Sequence, residues 1–369
     1  MKKVVFIAKT DLNTDGRILN ELRILENSKL DIKVDFILLP DKPLKVNPGK
    51  NVTMHIVTTI FRHNKYLRFF TNLEFIVKSL ILLFKLKPEI LHAQDTEIIQ
   101  PVLIYRFLKG ANFKLIYDDH EIPNENADLF YRIYHSLEVL LMKKADNIIF
   151  ANKERLQVLK ERHSLENSCI YFLNLPYFEN DFISDNETQE AELDALDKEI
   201  SLGSKFIIHQ GPLAIERGRE KLAIFSKILP RDFKVLLLGG NRMDYLTFIE
   251  EYKLNKDKFH FRGSVNYMIL PKYWERGVAS IVMYLPTYLN NRLCAPNRFY
   301  ISLQKGLPVI VNKENPVLSN FVNQYNCGVF IEDLNEQNIA TSIENVNIKS
   351  DVFKQLKEEQ IDNFTKIYR

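Results

Sequence analysis

A polar run in the first half of the chain, Asp118-Asp119-His120-Glu121, combines residue types that bind metals or transfer protons. It follows the apolar residues 115–117, which are typical of a buried strand. Polar side chains at the carboxyl end of a strand lie where α/β proteins bind their ligands. Adjacent residues on a turn point in different directions, however, and no distant histidine or acidic cluster has metal-ligand spacing. The run therefore indicates a ligand site rather than a metal centre.

A second candidate lies at residues 207–219, where Gly211 follows a predicted buried strand and Arg217-Gly218 opens the next helix. A strand, a glycine turn and a helix N-terminus form a geometry that binds phosphate, and an arginine can donate paired hydrogen bonds to its oxygens. The segment has neither a GxGxxG nor a Walker A pattern. From these residues alone, a phosphate site and a surface arginine at a turn both stay open.

Residues 289–311 form a third candidate. Asn297 is predicted to cap a helix that begins after Pro296 and ends before Gly306. Arg298 in its first turn would add a guanidinium to the free backbone amides and the positive end of the helix dipole. An anion site and a well-capped helix without a ligand are both compatible with this pattern.

The turn at residues 11–17 links the first predicted strand to the first predicted helix and contains Gly16, the first glycine of the chain. This turn is expected to face the ligand, and Arg17 is expected to reach it. An ordinary connecting turn is the alternative interpretation.

These candidate residues can form a site only if strands and helices bring them to the same edge of a sheet. The hydrophobic pattern predicts such strands and helices. Short apolar strands alternate with amphipathic helices, which indicates parallel sheets covered on both faces. The predicted strands cover residues 3–8, 32–39, 52–58, 90–92, 113–117, 147–151 and 169–172, and then 206–209, 235–238, 259–261, 280–284, 308–311 and 329–332. The expected fold class is therefore α/β, with two doubly wound Rossmann-like domains facing each other across a cleft.

The first domain is predicted at residues 1–175 and the second at 205–351. The acidic, polar tract 176–204 between them is the predicted linker. The last helix, 352–369, is expected to pack back on the first domain.

Composition narrows the class of protein. The chain has 369 residues, and its 50 basic and 47 acidic side chains give a formal charge of +3, too even to indicate nucleic-acid binding. Nine of its 12 glycines follow residue 200, so a ligand that touches backbone is expected in the second half. The three cysteines are widely spaced and odd in number, which excludes a disulfide scaffold and indicates a reducing compartment.

Taken together, in their order and spacing, these segments resemble the GT-B glycosyltransferases, and within them glycosyltransferase family four, over nearly the whole chain. The motifs that carry the resemblance are IYDDHE and KKADNIIFANKER in the first half, and in the second half the turn Gly211 with Arg217-Gly218, VLLLGG ending at Gly239-Gly240, Phe261-Arg262-Gly263-Ser264-Val265, Leu289-Asn290, Pro296-Asn297-Arg298 and Gly306-Leu307-Pro308-Val309.

The resemblance implies a retaining glycosyltransferase that moves a sugar from a nucleotide-sugar donor to a glycan or lipid-linked acceptor in surface polysaccharide synthesis. It implies no metal and no other cofactor, with the donor on the second domain and the acceptor against the first. His120 would contact the transferred sugar and Arg217 the diphosphate, as the catalytic residues. The residues expected to bind the donor are Gly16, Arg17, Gly211, Arg217, Gly239, Gly240, Gly263, Asn297 and Arg298.

One position departs from the family pattern. The family has a glutamate that binds the ribose hydroxyls five residues before the helix-ending glycine, and this chain has Ile301 there. Isoleucine accepts no hydrogen bond, and buried unpaired hydroxyls cost about 1–3 kcal/mol. Leu293, eight residues earlier, is also not acidic, although this branch of the family often lacks that first carboxylate. A catalytically silent GT-B homologue, acting as a subunit of a glycosylation complex, is therefore an alternative. A nucleotide-sugar epimerase is a third reading, which would need acid–base carboxylates that the sequence does not place.

Residues 65–87 alternate basic with aromatic and aliphatic side chains, which is typical of a core helix with cationic ends or of a helix in a membrane interface. The family resemblance favours the second interpretation. A cytoplasmic protein with peripheral contact at the inner face of the membrane is therefore expected.

Overall fold

The computed structural model describes residues 1–13, 15–62, 66–122, 129–176, 187–265, 269–348 and 350–369. The chain forms two compact units. The first comprises Met1–Leu173 together with Lys357–Arg369, and the second comprises Asn174–Leu356.

The first unit is built on a parallel sheet of seven strands. They are β1 (Lys2–Thr10), β2 (Ile32–Pro40), β3 (Val52–Ile56), β4 (Ile90–Gln94), β5 (Lys114–Asp119), β6 (Asn147–Phe150) and β7 (Ser168–Tyr171). They lie in the order β3-β2-β1-β4-β5-β6-β7, and Val4 of β1 pairs with Val34 on one side and Ile90 on the other. Consecutive residues of β1, from Val4 to Ile7, are fully buried, so both faces of the sheet are covered.

The helices of this unit are α1 (Gly16–Asn27), α2 (Arg68–Leu86), α3 (Ile99–Lys109), α4 (Leu129–Lys144) and α5 (Lys153–Arg162). A short 3₁₀ turn at Thr96–Ile98 joins β4 to α3.

The second unit is built on a parallel sheet of six strands. They are β8 (Lys205–Gln210), β9 (Phe233–Leu238), β10 (Phe259–Gly263), β11 (Gly277–Ile281), β12 (Val309–Val311) and β13 (Gly328–Phe330), in the order β10-β9-β8-β11-β12-β13. The order reverses between β8 and β11, the place where doubly wound sheets bind ligands. The helices are α6 (Glu187–Ser201), α7 (Arg219–Lys227), α8 (Arg242–Glu251), α9 (Leu270–Trp274), α10 (Leu289–Arg292), α11 (Asn297–Gln304), α12 (Pro316–Tyr325) and α13 (Ile339–Glu344). The last helix, α14 (Ser350–Lys366), begins in the second unit and belongs to the first unit from Lys357 onward.

All thirteen predicted strands are present, and the predicted α/β class with two Rossmann-like sheets is confirmed. The range 176–204 differs from its prediction as a linker, because it contains α6. Leu193 and Leu196 of that helix are buried in a core cluster with Phe206 and Trp274. Residues 177–186 of this range, like Lys65 at the start of the predicted helix 65–87, lie outside the described residues.

The last residues of the chain pack into the first unit. The ring of Phe364 lies 4.7 Å from that of Phe172, and Oε1 of Gln360 accepts a 2.9 Å hydrogen bond from the backbone of Leu173. The described part of the chain contains no helix that is long and apolar enough to cross a bilayer.

Candidate functional site

Three glycine turns meet at the carboxyl ends of β8, β9 and β10. The N–H of Gly239 donates to the carbonyl of Gly263 at 2.6 Å, and the N–H of Gly211 donates to the carbonyl of Leu238 at 2.7 Å. A Cβ on Gly239 would lie 3.2 Å from Cα of Gly211. The four glycines of these turns all have positive φ, namely Gly211 (+122°), Gly239 (+99°), Gly240 (+76°) and Gly263 (+73°). The backbone conformation therefore favours glycine at all four positions, and at Gly211 and Gly239 the close approach of neighbouring atoms adds a second reason.

Two guanidinium groups converge on the first of these turns. A Cβ on Gly211 would lie 2.3 Å from Nη1 of Arg217 and 3.5 Å from Nη1 of Arg298. Both guanidinium groups also lie over the ring of Tyr284, at 5.7 Å for Arg217 and 5.0 Å for Arg298. The structure thus brings together two residues that the sequence separates by 81 positions, as the predicted donor site requires.

Tyr284 is fixed by its backbone. Its N–H donates to Oδ1 of Asn312 at 3.1 Å, and its carbonyl accepts from Nδ2 of the same side chain at 3.0 Å. Asn312 is fully buried. The ring that supports both arginines is therefore held by a side chain on the loop that follows β12, and sequence reasoning identified neither residue.

Arg298 is only 6 % exposed, and among the described residues its Nε and Nη2 have no hydrogen-bond partner. Burial lowers its pKa, with a further contribution from Arg217. No described carboxylate forms an ion pair with either arginine. A buried cation without a counter-ion is unfavourable, so this arrangement is suited to an anionic ligand.

His209 lies near the end of β8, two residues before Gly211, and its pKa reflects the positive charge of the site. Its side chain is 2 % exposed, and among the described residues its ring nitrogens have no hydrogen-bond partner. Burial, with the positive charges of Arg298 and Arg217, lowers its pKa to about 3. His209 is therefore neutral at pH 7 and adds no charge.

The amino terminus of α11 is also suited to an anionic ligand. The predicted cap is wrong by one residue, because Pro296 is the N-cap and Asn297 is the first helical residue. Proline has no side-chain acceptor, and no side chain in the described part of the chain caps this helix. Asn297 and Arg298 therefore begin a helix whose first amides are open to an anion. Gly306 follows the last turn with φ +70°, as predicted.

Ile301 lies on α11 and packs against the apolar cluster that contains Ile208 and Trp274. Leu293 is also buried, at 4 % exposed. Neither position offers a group that could accept a hydrogen bond from a ribose hydroxyl.

In the first unit, Arg17 forms an ion pair that the sequence did not predict. The guanidinium donates to both carboxylate oxygens of Asp118, at 2.7 and 3.0 Å, and to the carbonyl of Phe172 at 2.9 Å. Arg17 is 6 % exposed and Asp118 is fully buried. Burial alone would raise the pKa of Asp118, but Arg17 holds it well below its usual value. Arg17 therefore forms a buried internal ion pair, and its contact with the donor stays a prediction.

Gly16 is the first residue of α1 and is buried. The cap of this helix is Asp15, whose Oδ1 accepts from the N–H of Ile18 at 3.2 Å and whose Oδ2 accepts from Thr10 at 3.0 Å. The helix therefore has a side-chain cap, in contrast to α11.

His120 follows β5 and is 16 % exposed, so it is accessible. Its Nε2 lies 2.8 Å from Oε1 of Gln94 and 3.3 Å from Oδ2 of Asp118. Burial alone would lower the pKa of His120, but the Asp118 carboxylate outweighs it and the pKa is raised. His120 is therefore a donor of hydrogen bonds at the carboxyl edge of the first sheet.

Glu21, His92 and Asp118 lie close enough together to suggest a metal site. Each already has a partner, however: Asp118 binds Arg17, Glu21 accepts from Gln94 at 2.5 Å, and Nδ1 of His92 bonds to Tyr368. The positive charge in this cluster is Arg17, so the donor set does not fit an added cation.

A pocket of about 360 Å³ opens at the carboxyl ends of β1 and β4. Its polar lining includes Lys9 and Glu97, which form a 2.9 Å ion pair, and Tyr134, which donates to the carbonyl of Thr96 at 3.0 Å. Phe75 of α2 lies in its apolar wall. A mixed polar and aromatic lining of this kind suits a sugar ring.

No protein-family model and no curated protein sequence matches this chain. Solved structures match it over nearly its whole length. HepE of Anabaena in complex with UDP is 14 % identical with a TM-score of 0.65, covering 100 % of this chain and 97 % of its own. The lipopolysaccharide outer core galactosyltransferase WaaB is 13 % identical with a TM-score of 0.64, covering 99 % of both chains.

The UDP-GlcNAc 2-epimerase of Methanocaldococcus jannaschii is 13 % identical with a TM-score of 0.58, covering 96 % of this chain and 99 % of its own. Identities this low show the fold alone. The protein thus has the GT-B fold of two Rossmann-like units that the motif resemblance predicted.

Proposed function

We propose that this protein is a glycosyltransferase that takes a sugar from a nucleoside diphosphate donor bound at the second unit. The observation that carries the proposal is the pair Arg217 and Arg298 beside Gly211, with no described carboxylate to neutralise it. A diphosphate supplies the missing negative charge, and the bare N-terminus of α11 supplies further donors. A solved structure of the same fold, HepE, is in complex with UDP.

In the proposed reaction the bond between the anomeric carbon and the donor's phosphate oxygen breaks, and a bond from that carbon to an acceptor hydroxyl forms. The departing phosphate oxygen takes the electron pair of the broken bond and gains negative charge, and the proton of the acceptor hydroxyl passes to that oxygen and from there to water. Arg217 and Arg298 stabilise this charge in the transition state more than in the bound donor. Asn297 is the first residue of α11 and directly precedes Arg298. Retention of configuration follows from the motif resemblance and is tested by the anomer of the product.

The first experiment measures the melting temperature with UDP, GDP, ADP and pyrophosphate. A ligand at 100 times its Kd stabilises the folded state by about 2.7 kcal/mol, which is a rise of about 5 °C or more for a unit of this size. We expect the rise in wild type and its loss in Arg217→Ala. Arg231→Ala, an exposed arginine of the same unit, is the matched control. If none of the four ligands shifts wild type, the proposal is wrong.

We further propose that transfer needs no metal, because two guanidinium groups provide the charge that a divalent cation provides in other diphosphate sites. Donor binding and transfer should be unchanged by a chelator such as EDTA. A loss of the thermal shift on chelation, restored by Mg²⁺ or Mn²⁺, would contradict this part of the proposal.

For the acceptor we propose a glycan or lipid-linked glycan whose sugar end occupies the pocket lined by Lys9, Phe75 and Tyr134. WaaB, which has this fold, is named for transfer to the lipopolysaccharide outer core. Phe75→Ser should weaken acceptor use and leave the thermal shift by the donor unchanged. An equal loss of acceptor use and of the thermal shift would show that Phe75→Ser disturbs folding rather than acceptor binding.

The exposed apolar side of α2, α3 and α4 supports membrane contact. Ile81, Phe107 and Leu140, one from each helix, are 61 %, 88 % and 44 % exposed. Exposed basic side chains lie on or just beyond the same helices, namely Lys85, Lys87, Arg132, Lys143 and Lys144. We propose that this surface, called the α2–α4 face below, rests on anionic lipid at the cytoplasmic side of a membrane, where the unpaired cysteines stay reduced.

Ile301 favours a second candidate function, a silent homologue that binds a partner enzyme. The two candidates differ in turnover: a transferase releases nucleoside diphosphate from its donor when an acceptor is present, and a silent homologue does not. Ile301→Glu separates them further. If this variant gains nucleotide binding that wild type lacks, the silent candidate is favoured, whereas a wild type that binds and turns over donor excludes it.

A further inference from the structure

A chain of buried hydrogen bonds runs from the end of the polypeptide to His120. Tyr368, the next-to-last residue, bonds through its hydroxyl to Nδ1 of His92. Nε2 of His92 lies 3.1 Å from Nε2 of Gln94, and Oε1 of Gln94 lies 2.8 Å from Nε2 of His120. Tyr368, His92 and Gln94 are each no more than 1 % exposed, and only His120 reaches the surface.

We propose that Gln94 and Tyr368 are positioning residues that fix the ring of His120 through this chain. The significance for sugar transfer rests on the function proposed above, whereas the hydrogen-bond arrangement itself does not.

The direction of the chain follows from Asp118. Its carboxylate binds Arg17 through both oxygens and also lies 3.3 Å from Nε2 of His120, so that nitrogen must carry a proton. Nε2–H then donates to Gln94, which must present its carbonyl oxygen to His120. The opposite amide orientation would place an NH₂ group against an N–H.

The remaining protons are then determined. The NH₂ group of Gln94 donates to Oε2 of Glu21 at 2.5 Å and to Nε2 of His92. His92 therefore accepts at Nε2 and carries its proton on Nδ1, which donates to the hydroxyl of Tyr368. Burial lowers the pKa of His92 to about 3, so this ring stays neutral and keeps one tautomer.

At the other end, Nδ1 of His120 has no hydrogen-bond partner among the described residues. It is the ring nitrogen left to meet a ligand, as a donor when the ring is cationic. A donor at this point suits a hydroxyl or phosphate oxygen. The charged and titratable groups that act on this ring are Asp118, Arg17, Asp95, His92, Asp119 and Arg155.

The test uses the full chain labelled with ¹⁵N in its eight histidines, observed by long-range ¹H–¹⁵N correlation from pH 5 to 9. His120→Asn identifies the signals of His120. We expect Nε2 of His120 to stay protonated throughout while Nδ1 titrates, and His92 to stay neutral with its proton on Nδ1. A neutral His120 with its proton on Nδ1 would overturn the proposal.

Two variants then test the chain. Gln94→Leu removes an acceptor from the imidazolium, so the pKa of His120 should fall by about one unit. Tyr368→Phe removes only a hydroxyl and should lower it by less, and the double variant should fall no further than Gln94→Leu alone. Tyr105→Phe on α3 removes another buried hydroxyl of the first unit, outside this hydrogen-bond chain, and should leave the pKa of His120 unchanged. Additive effects, or no effect of Tyr368→Phe, would show that Tyr368 does not act through Gln94.

These readouts need no donor, so they separate this inference from the proposed function. If the spectra behave as expected and wild type transfers no sugar, the proposed function is wrong, but the proposed chain of hydrogen bonds is still supported. If wild type transfers sugar, Tyr368→Phe should lower kcat and shift the acidic limb of the plot of kcat against pH. The thermal shift by the donor should be unchanged.

Discussion

Arg298 is a cation placed where the protein itself offers little to neutralise it. Arg298 is 6 % exposed, and its Nε and Nη2 lack partners among the described residues. Nη1 of Arg217 lies within about 6 Å of Nη1 of Arg298. Buried charges usually bring a counter-ion from the same fold, as Arg17 does with Asp118 in the first unit. The contrast between the two arginines distinguishes a structural ion pair from a site that is completed by a ligand.

Gly211→Ala tests how tightly this site is built. The new Cβ would lie 2.3 Å from Nη1 of Arg217, so the guanidinium must move, and the backbone at φ +122° would be strained by about 1–3 kcal/mol. We expect lower stability and loss of the thermal shift by nucleoside diphosphate. Gly203→Ala is the control, because φ is +95° there but a Cβ would meet nothing within 4 Å. Gly203→Ala should lose stability and keep the thermal shift. Loss of the thermal shift in both variants would contradict the role of Gly211.

His209 makes the stability of the second unit depend on pH. Its folded pKa of about 3 lies below the usual 6.5, so the unfolded chain binds the proton more tightly. The stability it contributes is present above pH 6.5 and is lost as the pH falls toward 3. Between pH 7 and pH 5 the loss is up to about 2 kcal/mol. Denaturant unfolding should show a smaller loss over this interval in His209→Gln; an identical loss in both proteins would show that His209 is not the group.

At single positions, the sequence predicted what depends on local geometry and failed where the partner is distant. The glycine turns, Arg217 and Arg298 could be singled out because turns and helix starts are local patterns. The ion pair of Arg17 could not be predicted, because its partner, Asp118, lies 101 residues away. Tyr284 and His209 were missed because an aromatic residue within an apolar strand reads as core.

At the scale of elements, strand positions were predictable because a buried parallel strand is a short apolar run bounded by polar residues. The helix α6 was not, because its sequence is polar and acidic over most of its length. Two leucines, Leu193 and Leu196, are enough to attach it to the core, and no composition window detects two residues at helical spacing. A polar tract between domains can therefore be a helix that packs on one of them.

The segment 357–369 is an element whose packing can be measured. Phe364 is fully buried against Phe172 and Tyr368, and Phe364→Ala should lower the free energy of unfolding by about 3–5 kcal/mol. Phe107→Ala on α3 is the control, since that ring is 88 % exposed and its loss should change stability by no more than about 0.5 kcal/mol. Denaturant unfolding at pH 7 measures both. A loss below about 1 kcal/mol for Phe364→Ala would mean that this segment is not part of the core of the first unit.

At the scale of the whole molecule, the two units differ in the groups that an external partner could cover. The second unit has two arginines without a carboxylate partner among the described residues, whereas the first has the α2–α4 face, with Phe107 as its most exposed side chain. The sequence pattern at 65–87 pointed to α2 alone. The contribution of α3 and α4 depends on the contacts of α3 with both neighbours, which only the fold provides.

If the α2–α4 face rests on a membrane, the full chain should float with vesicles that contain anionic phospholipid and not with neutral ones. Phe107→Ser with Leu140→Ser removes two exposed apolar side chains, worth about 1.5–3 kcal/mol each when buried in lipid, and should reduce binding at least tenfold. Ile224→Ser with Met243→Ser, at 65 % and 70 % exposed on the second unit, is the matched control and should bind as wild type does. Binding that both pairs reduce equally would reflect general hydrophobicity, and binding unchanged by the first pair would exclude this face. The thermal shift by nucleoside diphosphate should be the same in all three proteins, because none of the four substituted residues is among those expected to bind the donor.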